Sequence, residues 1–317
     1  MKKVKSALLL ALLCPAVLFG QITSTQDTKG KQKVRTVTIP ISIFTREELR
    51  SDKQEEFIQA NRLIVREDSD EQTILSIRSV ANTPLTLAIL IQDDLTSEFN
   101  LQLKSLKEFI RGLPAGSRIM VAYIRGGTLD IRQRFTEDRD RAADALRIVT
   151  SSAATAPRSP YDSLIEALPR FDAQPAGRRA VLLVSDGLDT SQGISFGAPL
   201  SSVDLDRAIQ RAQRRSIAVY SFYSPATSTS GGNTTLALQG QGSLERLSHE
   251  TGGRAFFQGS LAPISFDPFF RDLMILLNRQ FALTYLSTHM NRGYHKVEVV
   301  STNPDIRIQH PKGYYYR

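Results

Sequence analysis

Two stretches decide the fold: Leu85–Ser97 (LTLAILIQDDLTS) and Ala180–Ser191 (AVLLVSDGLDTS). Each opens with a continuous apolar run, the pattern of a strand covered on both faces. Each then stops in an acidic, hydroxyl-rich loop. A third such run, Ile119–Ile124, lies between them, and Ile217–Tyr223 follows. Around these runs the apolar spacing predicts helices over 101–113, 137–150, 161–171, 203–214, 243–250 and 266–278. Arg125-Gly126-Gly127-Thr128 reads as a hairpin turn into an alternating strand, Leu129–Phe135, and 224–242 reads as a Gly/Ser/Thr loop. Strands alternating with helices at this spacing build a doubly wound, mostly parallel sheet, so the expected class is α/β.

Outward from this block the period changes to two. Val34–Phe44 (VRTVTIPISIF), Leu63–Glu67 and Thr73–Val80 alternate apolar with polar residues, and so do Phe281–Ser287, His295–Ser301 and Ile306–His310. Each set offers about three strands, too few for a core of its own. The expected organisation is a signal peptide at 1–20, a flexible polar leader at 21–33, a β segment at 34–84, the α/β domain at 85–280 and a closing β segment at 281–317. The two β segments are expected to complete one flanking, β-sandwich-like domain. Val37, Ile39, Ile41 and Ile43 then face a core shared with alternate residues of Leu283–Leu286 and Val297–Val299.

The N-terminus carries an export pattern. Lys2, Lys3 and Lys5 precede a thirteen-residue apolar core, Ala7–Phe19, which is short for a membrane span. The mature chain is therefore expected to be periplasmic or secreted, with no integral membrane span after cleavage. The whole chain has 40 Lys+Arg against 32 Asp+Glu. Without the three signal lysines the excess is +5, spread without a basic block, so nucleic acid is not an expected partner. Cys14 is the one cysteine and lies in the signal, which leaves the mature chain without a disulfide or thiolate metal site.

Chemistry in such a sheet sits in loops at the carboxyl ends of the strands. The loops after Gln92 and after Val184 offer carboxylates and hydroxyls, the oxygen donors a hard cation takes. The same groups suit capping of the helices that follow, with no ion involved. Enzymatic patterns lack their context. Gly193-Ile194-Ser195-Phe196-Gly197 matches Gly-x-Ser-x-Gly, yet a nucleophile elbow joins strand directly to helix, and here Asp186 ends the strand seven residues earlier. His249-Glu250 lacks the second histidine of a zinc protease motif, and no phosphate-binding glycine loop follows any strand.

Leu85–Ser97, VLLVSDGLDTS at 181–191, Ala218–Tyr220, LSHETGG at 247–253, HKVEV at 295–299 and KGYY at 312–315 together resemble the exported bacterial von Willebrand factor A-related family, often called the acidobacterial type, over roughly 34–317. The resemblance implies a Rossmann-like A domain with a metal-ion-dependent adhesion site. In that pattern Asp-x-Ser-x-Ser follows the first strand, a Thr lies in a later loop and an Asp precedes Gly after the fourth strand. These groups hold Mg²⁺ or Mn²⁺, and a partner's carboxylate completes the octahedron. Carried over, Asp93, Ser97 and Asp186 are the metal residues. Leu95 stands where the first Ser belongs and Arg158 where the Thr belongs, which makes the site degenerate. A register shifted by one residue (Asp94, Thr96, Glu98) restores oxygen ligands, with Ser159 for the Thr. A third arrangement pairs Arg158 with Asp93 or Asp186 in place of the ion.

The function expected is that of a non-enzymatic module, adhesive or assembly-type, that binds an extracytoplasmic protein through loops carrying Asp94, Arg158, Ser159 and Asp189. A serine hydrolase using Ser195 and a purely structural envelope scaffold are the alternatives.

Overall fold

The computed structural model describes residues 33–45, 63–81, 83–191, 202–227, 234–259 and 263–316. The expected signal segment, nearly all of the expected leader and the GISFG stretch with Ser195 lie outside the described residues.

In chain order the elements are β1 (Arg35–Thr45), β2 (Leu63–Glu67), β3 (Asp70–Ser79), β4 (Leu85–Gln92), α1 (Leu103–Gly112), β5 (Arg118–Arg125), β6 (Thr128–Thr136), α2 (Arg139–Asp144), α3 (Pro160–Ala167) and β7 (Arg178–Ser185). Then come α4 (Val203–Gln213), β8 (Ala218–Tyr223), α5 (Thr234–Thr251), β9 (Ala255–Phe256), α6 (Asp267–Asn278), β10 (Gln280–Ser287), β11 (Gly293–Ser301), β12 (Ile306–Gln309) and β13 (Gly313–Tyr316). Among the described residues no helix is long and apolar enough to cross a membrane.

One sheet has six strands in the order β6-β5-β4-β7-β8-β9. β4 runs parallel to both β5 and β7, β7 to β8 and β8 to β9, while β6 returns antiparallel as an edge. Its central strand shows why LTLAILI carries no alternation. Leu87, Ile89 and Ile91 pack with Leu106 and Phe109 of α1 and Phe270 of α6. Ala88 and Leu90 pack with Leu164 of α3, Ile209 of α4 and Leu244 of α5 on the other face. Both faces of the strand are covered, so both must be apolar.

The second sheet has seven antiparallel strands in the order β12-β1-β10-β3-β2-β11-β13. Val37, Ile39, Ile41 and Ile43 face one core with Leu63, Val65, Leu283, Tyr285, Val297 and Val299. The expected sandwich is corrected in one respect. Strands from the two ends of the chain interleave, β1 lying between β10 and β12 and β2 beside β11. They form a single sheet that curls around its own apolar side, where a sandwich would have two sheets facing each other.

Two helices differ most from the expected bounds. α2 ends at Asp144, six residues early, because the buried Tyr123 hydroxyl accepts from the Arg147 amide (2.8 Å) and donates to the Arg147 carbonyl (2.6 Å). Those bonds hold the following backbone away from a helical path. α5 begins at Thr234, nine residues before the sequence suggested, and runs through Gly240 and Gly242.

Candidate functional site at the strand ends

The loops after β4 and β7 meet where the central strands end. Ile91 of β4 lies beside Val184 of β7, so the next residues, Gln92 and Ser185, are neighbours. Ser185 Oγ donates to Gln92 Oε1 (2.6 Å), and the Asp186 amide donates to the same oxygen (3.3 Å). Gln92 Nε2 donates in turn to Asp94 Oδ1 (2.9 Å). Gln92 thus ties Asp94 and Asp186, only 0% and 3% exposed, into one buried polar group.

Asp93 faces the other way. Its carboxylate accepts from Arg147 Nη1 (2.7 Å) and the Thr150 amide (3.2 Å), with Arg125 Nε at 3.9 Å from the second oxygen. The Arg147 guanidinium also stacks 4.0 Å from the Tyr123 ring centroid and approaches Asp130. A guanidinium does neutralise a strand-end aspartate here, but it is Arg147 that does so. Arg158, expected in that role, is exposed, and its carbonyl accepts from the Thr190 amide (2.7 Å) and hydroxyl (3.0 Å). Those two bonds lash the loop before α3 to the loop after β7.

The remaining expected residues divide by burial. Ser97 and Glu98 are exposed at the start of a 3-10 turn over Ser97–Gln102. The Glu98 carboxyl is held below its usual range by backbone amide bonding and the Thr96 hydroxyl. Leu95 is fully buried, and its backbone bridges Ala226 after β8. Ser159 precedes Pro160 at the start of α3; its side chain makes no capping bond and its Oγ, buried, finds no partner among the described residues. Asp189 Oδ1 accepts from the Ser191 amide (2.9 Å), whereas buried Oδ2 is likewise unpartnered among the described residues.

Electrostatics at this end is acidic. Burial pushes the Asp204 carboxyl up, and the charges of Asp162 and Asp189 push it further. Burial raises the Tyr223 phenol to about 12, with the charge of Asp186 adding to it. Tyr161, which donates to the Gly187 carbonyl (2.7 Å), is also driven up by burial, with Asp186 and Asp189 contributing. A carboxyl whose proton affinity is raised by neighbouring carboxylates, as that of Asp204 is, marks a place where a cation would be stabilised. Asp94, Asp186 and the orphaned Ser159 hydroxyl are hard oxygen donors, the chemistry that Mg²⁺ takes beside retained waters. The sequence pointed to these loops but not to Gln92, which reads as the last residue of a strand.

No family model matches the chain, and no curated protein matches it. Solved structures do. A von Willebrand factor type A protein from Catenulispora acidiphila is 12% identical over 81% of this chain and 74% of that one, with a TM-score of 0.44. An aerotolerance-related membrane protein from Bacteroides fragilis is also 12% identical, over 61% of this chain and 98% of that one, with a TM-score of 0.42. Manganese-loaded TRAP protein of Plasmodium vivax is 11% identical over 75% and 97%, with a TM-score of 0.37.

Proposed function

We propose that the chain is an exported, non-enzymatic protein-interaction module that presents its strand-end loops to an extracytoplasmic partner in an adhesion or assembly role. A divalent ion of the Mg²⁺ or Mn²⁺ type belongs to that surface in the shifted register, held by Asp94, Ser159 and Asp186. Asp93, already neutralised by Arg147, takes no part. When bound, the ion would supply a positive centre able to accept a partner's carboxylate. The protein's own contribution is to hold the donors: Gln92 fixes Asp94 against Asp186, and the Arg158–Thr190 bonds fix the Ser159 loop beside them.

The observation that carries this reading is the Ser159 hydroxyl, buried and without a partner among the described residues. A buried hydroxyl left unpaired costs about 1–3 kcal/mol, which a ligand at this place would offset. The test is a calorimetric titration of the full chain with Mg²⁺ and Mn²⁺. Binding that disappears in Asp186→Ala and weakens in Ser159→Ala, yet survives Asp93→Ala, supports it. A saturated site at a hundred times its dissociation constant adds about 2.7 kcal/mol of stability, visible in a melt with and without EDTA. Absence of binding, or loss in Asp93→Ala alone, overturns the ion assignment. For the interaction itself, Arg158→Glu, which alters an exposed side chain and keeps the carbonyl bonds to Thr190, is expected to abolish partner capture in crosslinking while leaving the melt unchanged. A fluorophosphonate probe is expected to leave the native protein unlabelled; labelling lost in Ser195→Ala would favour a hydrolase instead.

A further inference from the structure

A second polar cluster lies in the seven-stranded sheet, where the β2–β3 turn meets the β10–β11 connection. Glu67 at the end of β2 is 0% exposed. Its Oε1 accepts from Ser287 Oγ (2.9 Å), Tyr314 Oη (2.7 Å) and Arg35 Nη2 (3.2 Å). Its Oε2 is buried and finds no hydrogen-bond partner among the described residues.

Two histidines face this carboxylate in the same way. His295 Nε2 lies 2.7 Å from the Asn291 carbonyl, which only accepts, so Nε2 carries the hydrogen. Its Nδ1 then points at Asp68 Oδ2 (2.8 Å) and Glu67 Oε1 (3.3 Å). His289 Nε2 lies 3.2 Å from Asp70 Oδ2, an ion-pair contact. His289 Nδ1 is buried, has no hydrogen-bond partner among the described residues and lies 3.9 Å from Glu67 Oε1. Each ring therefore rests one nitrogen near an oxygen acceptor and turns the other toward acidic oxygens. His295 Nδ1 is hydrogen-bonded to Asp68 Oδ2, a contact a metal ion would replace, and His289 Nδ1 has no hydrogen-bond partner among the described residues. A ring held from behind by an oxygen acceptor is also the usual posture of a metal-ligating histidine.

We propose that Glu67, Asp68, His289 and His295 form a binding site for a zinc-type divalent cation. Glu67, Asp68 and His289 already bring ligand atoms within 4.8 Å of one another. Two imidazole nitrogens and two carboxylate oxygens make the N/O donor set and number of a tetrahedral zinc site. Arg35, Tyr314 and Ser287 hold Oε1 from outside, which leaves Oε2 for the ion, and Asp70 and Asn291 orient the two rings. The Asp68 and His289 side chains are 36% and 21% exposed, so an ion can enter from solvent. The bound ion would tie the β2–β3 turn to the β10–β11 connection, two parts of the chain more than two hundred residues apart.

The experiment uses the tag-free full chain, titrated with Zn²⁺ by calorimetry and with Co²⁺ by visible absorption. One equivalent of Zn²⁺ and the strong visible band of tetrahedral Co²⁺ are expected. Asp68→Asn and His289→Gln alter partly exposed side chains, and both proteins should melt as the wild type does without metal. Each should weaken binding by more than the roughly 10–100-fold that loss of an outer-shell partner costs. Asp186→Ala, at the other sheet, should bind zinc unchanged. No zinc binding by the wild type, binding that survives both substitutions, or Co²⁺ held with only weak octahedral absorption would each overturn the proposal.

Discussion

His310 shows how one buried ring sets a pH dependence. Its Nδ1 lies 3.0 Å from the Pro311 carbonyl, so the hydrogen sits there, and Nε2 accepts from the Val299 amide at 3.2 Å. Protonation of Nε2 would break the second bond and bury a charge. Burial, opposed by the Pro311 carbonyl and by Glu298 and aided by the charges of Lys312 and His249, lowers its pKa to about 4. The unfolded ring titrates near 6.5, so below that pH the unfolded state binds more protons and the fold weakens as pH falls. The loss should grow from about pH 6.5 down to about pH 4, level off below, and reach about 3 kcal/mol. His310→Gln, which keeps an acceptor for the Val299 amide, should flatten that part of the profile in urea titrations taken between pH 7 and 4. A slope unchanged in the variant would assign the acid sensitivity elsewhere. The strand-end aspartates show what single residues conceal. Asp93 and Asp94 are chemically identical in the sequence, and only the alternation of a strand that continues through the polar Gln92 decides which one turns to Asp186 and which to Arg147.

At the scale of elements, α5 was the least legible helix, and its glycines are the reason. Gln239-Gly240-Gln241-Gly242 reads as loop because glycine is a poor helix former, yet here it lies inside an eighteen-residue helix. A Cβ on Gly240 would lie 1.9 Å from the Asp186 carbonyl oxygen, and one on Gly187 would lie 2.4 Å from the Gly240 carbonyl oxygen. The helix and the Asp186–Gly187 turn touch backbone to backbone, a closeness only glycine allows, and tertiary packing overrides local propensity. Gly187 has φ +73° as well, so that position needs glycine twice over. Gly240→Ala would gain up to about 1 kcal/mol of helix propensity. The overlap with a backbone atom that cannot swing aside costs about 1–3 kcal/mol. The net expectation is destabilisation by about 1–2 kcal/mol in denaturant, together with weaker binding at the proposed ion site, because Asp186 moves with its carbonyl. A stabilised Gly240→Ala protein would refute this close contact. The buried strands, in contrast, were legible throughout, since LTLAILI and AVLLV carry a single polar residue, Thr86, between them. Short β13 escaped notice because KGYY offers one glycine and aromatic residues but no run long enough to show a period.

At the scale of the molecule, the chain crosses between the two sheets twice, after β3 and after α6, and Arg178 at the start of β7 grips both crossings. Its guanidinium donates to the carbonyls of Ala81 and Thr83 (both 3.0 Å), to Leu277 (2.6 Å) and to Gln280 Oε1 (2.9 Å). Gln280 passes the contact on to the Tyr220 hydroxyl (3.1 Å) of β8. Burial lowers the pKa of this arginine and the nearby Tyr220 opposes the shift, but so many carbonyl acceptors keep a cation there worthwhile. Arg178→Met should cost about 3 kcal/mol, since it strands several buried acceptors at once, and hydrogen exchange should rise at both crossings together.

The arrangement of strands carries the last prediction. Among the described strands β1 hydrogen-bonds only to β10 and β12, and β3 lies between β10 and β2, so each described neighbour of β1 comes from the far end of the chain. We propose that the α/β region is bounded near Pro84 and Asn278 and is inserted into the seven-stranded sheet as a unit that folds on its own. A chain ending at Asn278 keeps α6 against its sheet but deletes β10 to β13. β1 then has no partner, and Ile39, Ile41 and Ile43 lose the Leu283, Tyr285, Val297 and Val299 side of their core. What remains, the β2–β3 hairpin, is at best marginally stable in water. In that chain the amides of 35–45 and 63–79 should exchange at nearly unprotected rates while those of β4, β5, β7 and β8 stay slow. Retained protection over 35–45 would show that the first strand has another partner, and loss of protection in β4 would show that the α/β region depends on the antiparallel sheet for its own stability.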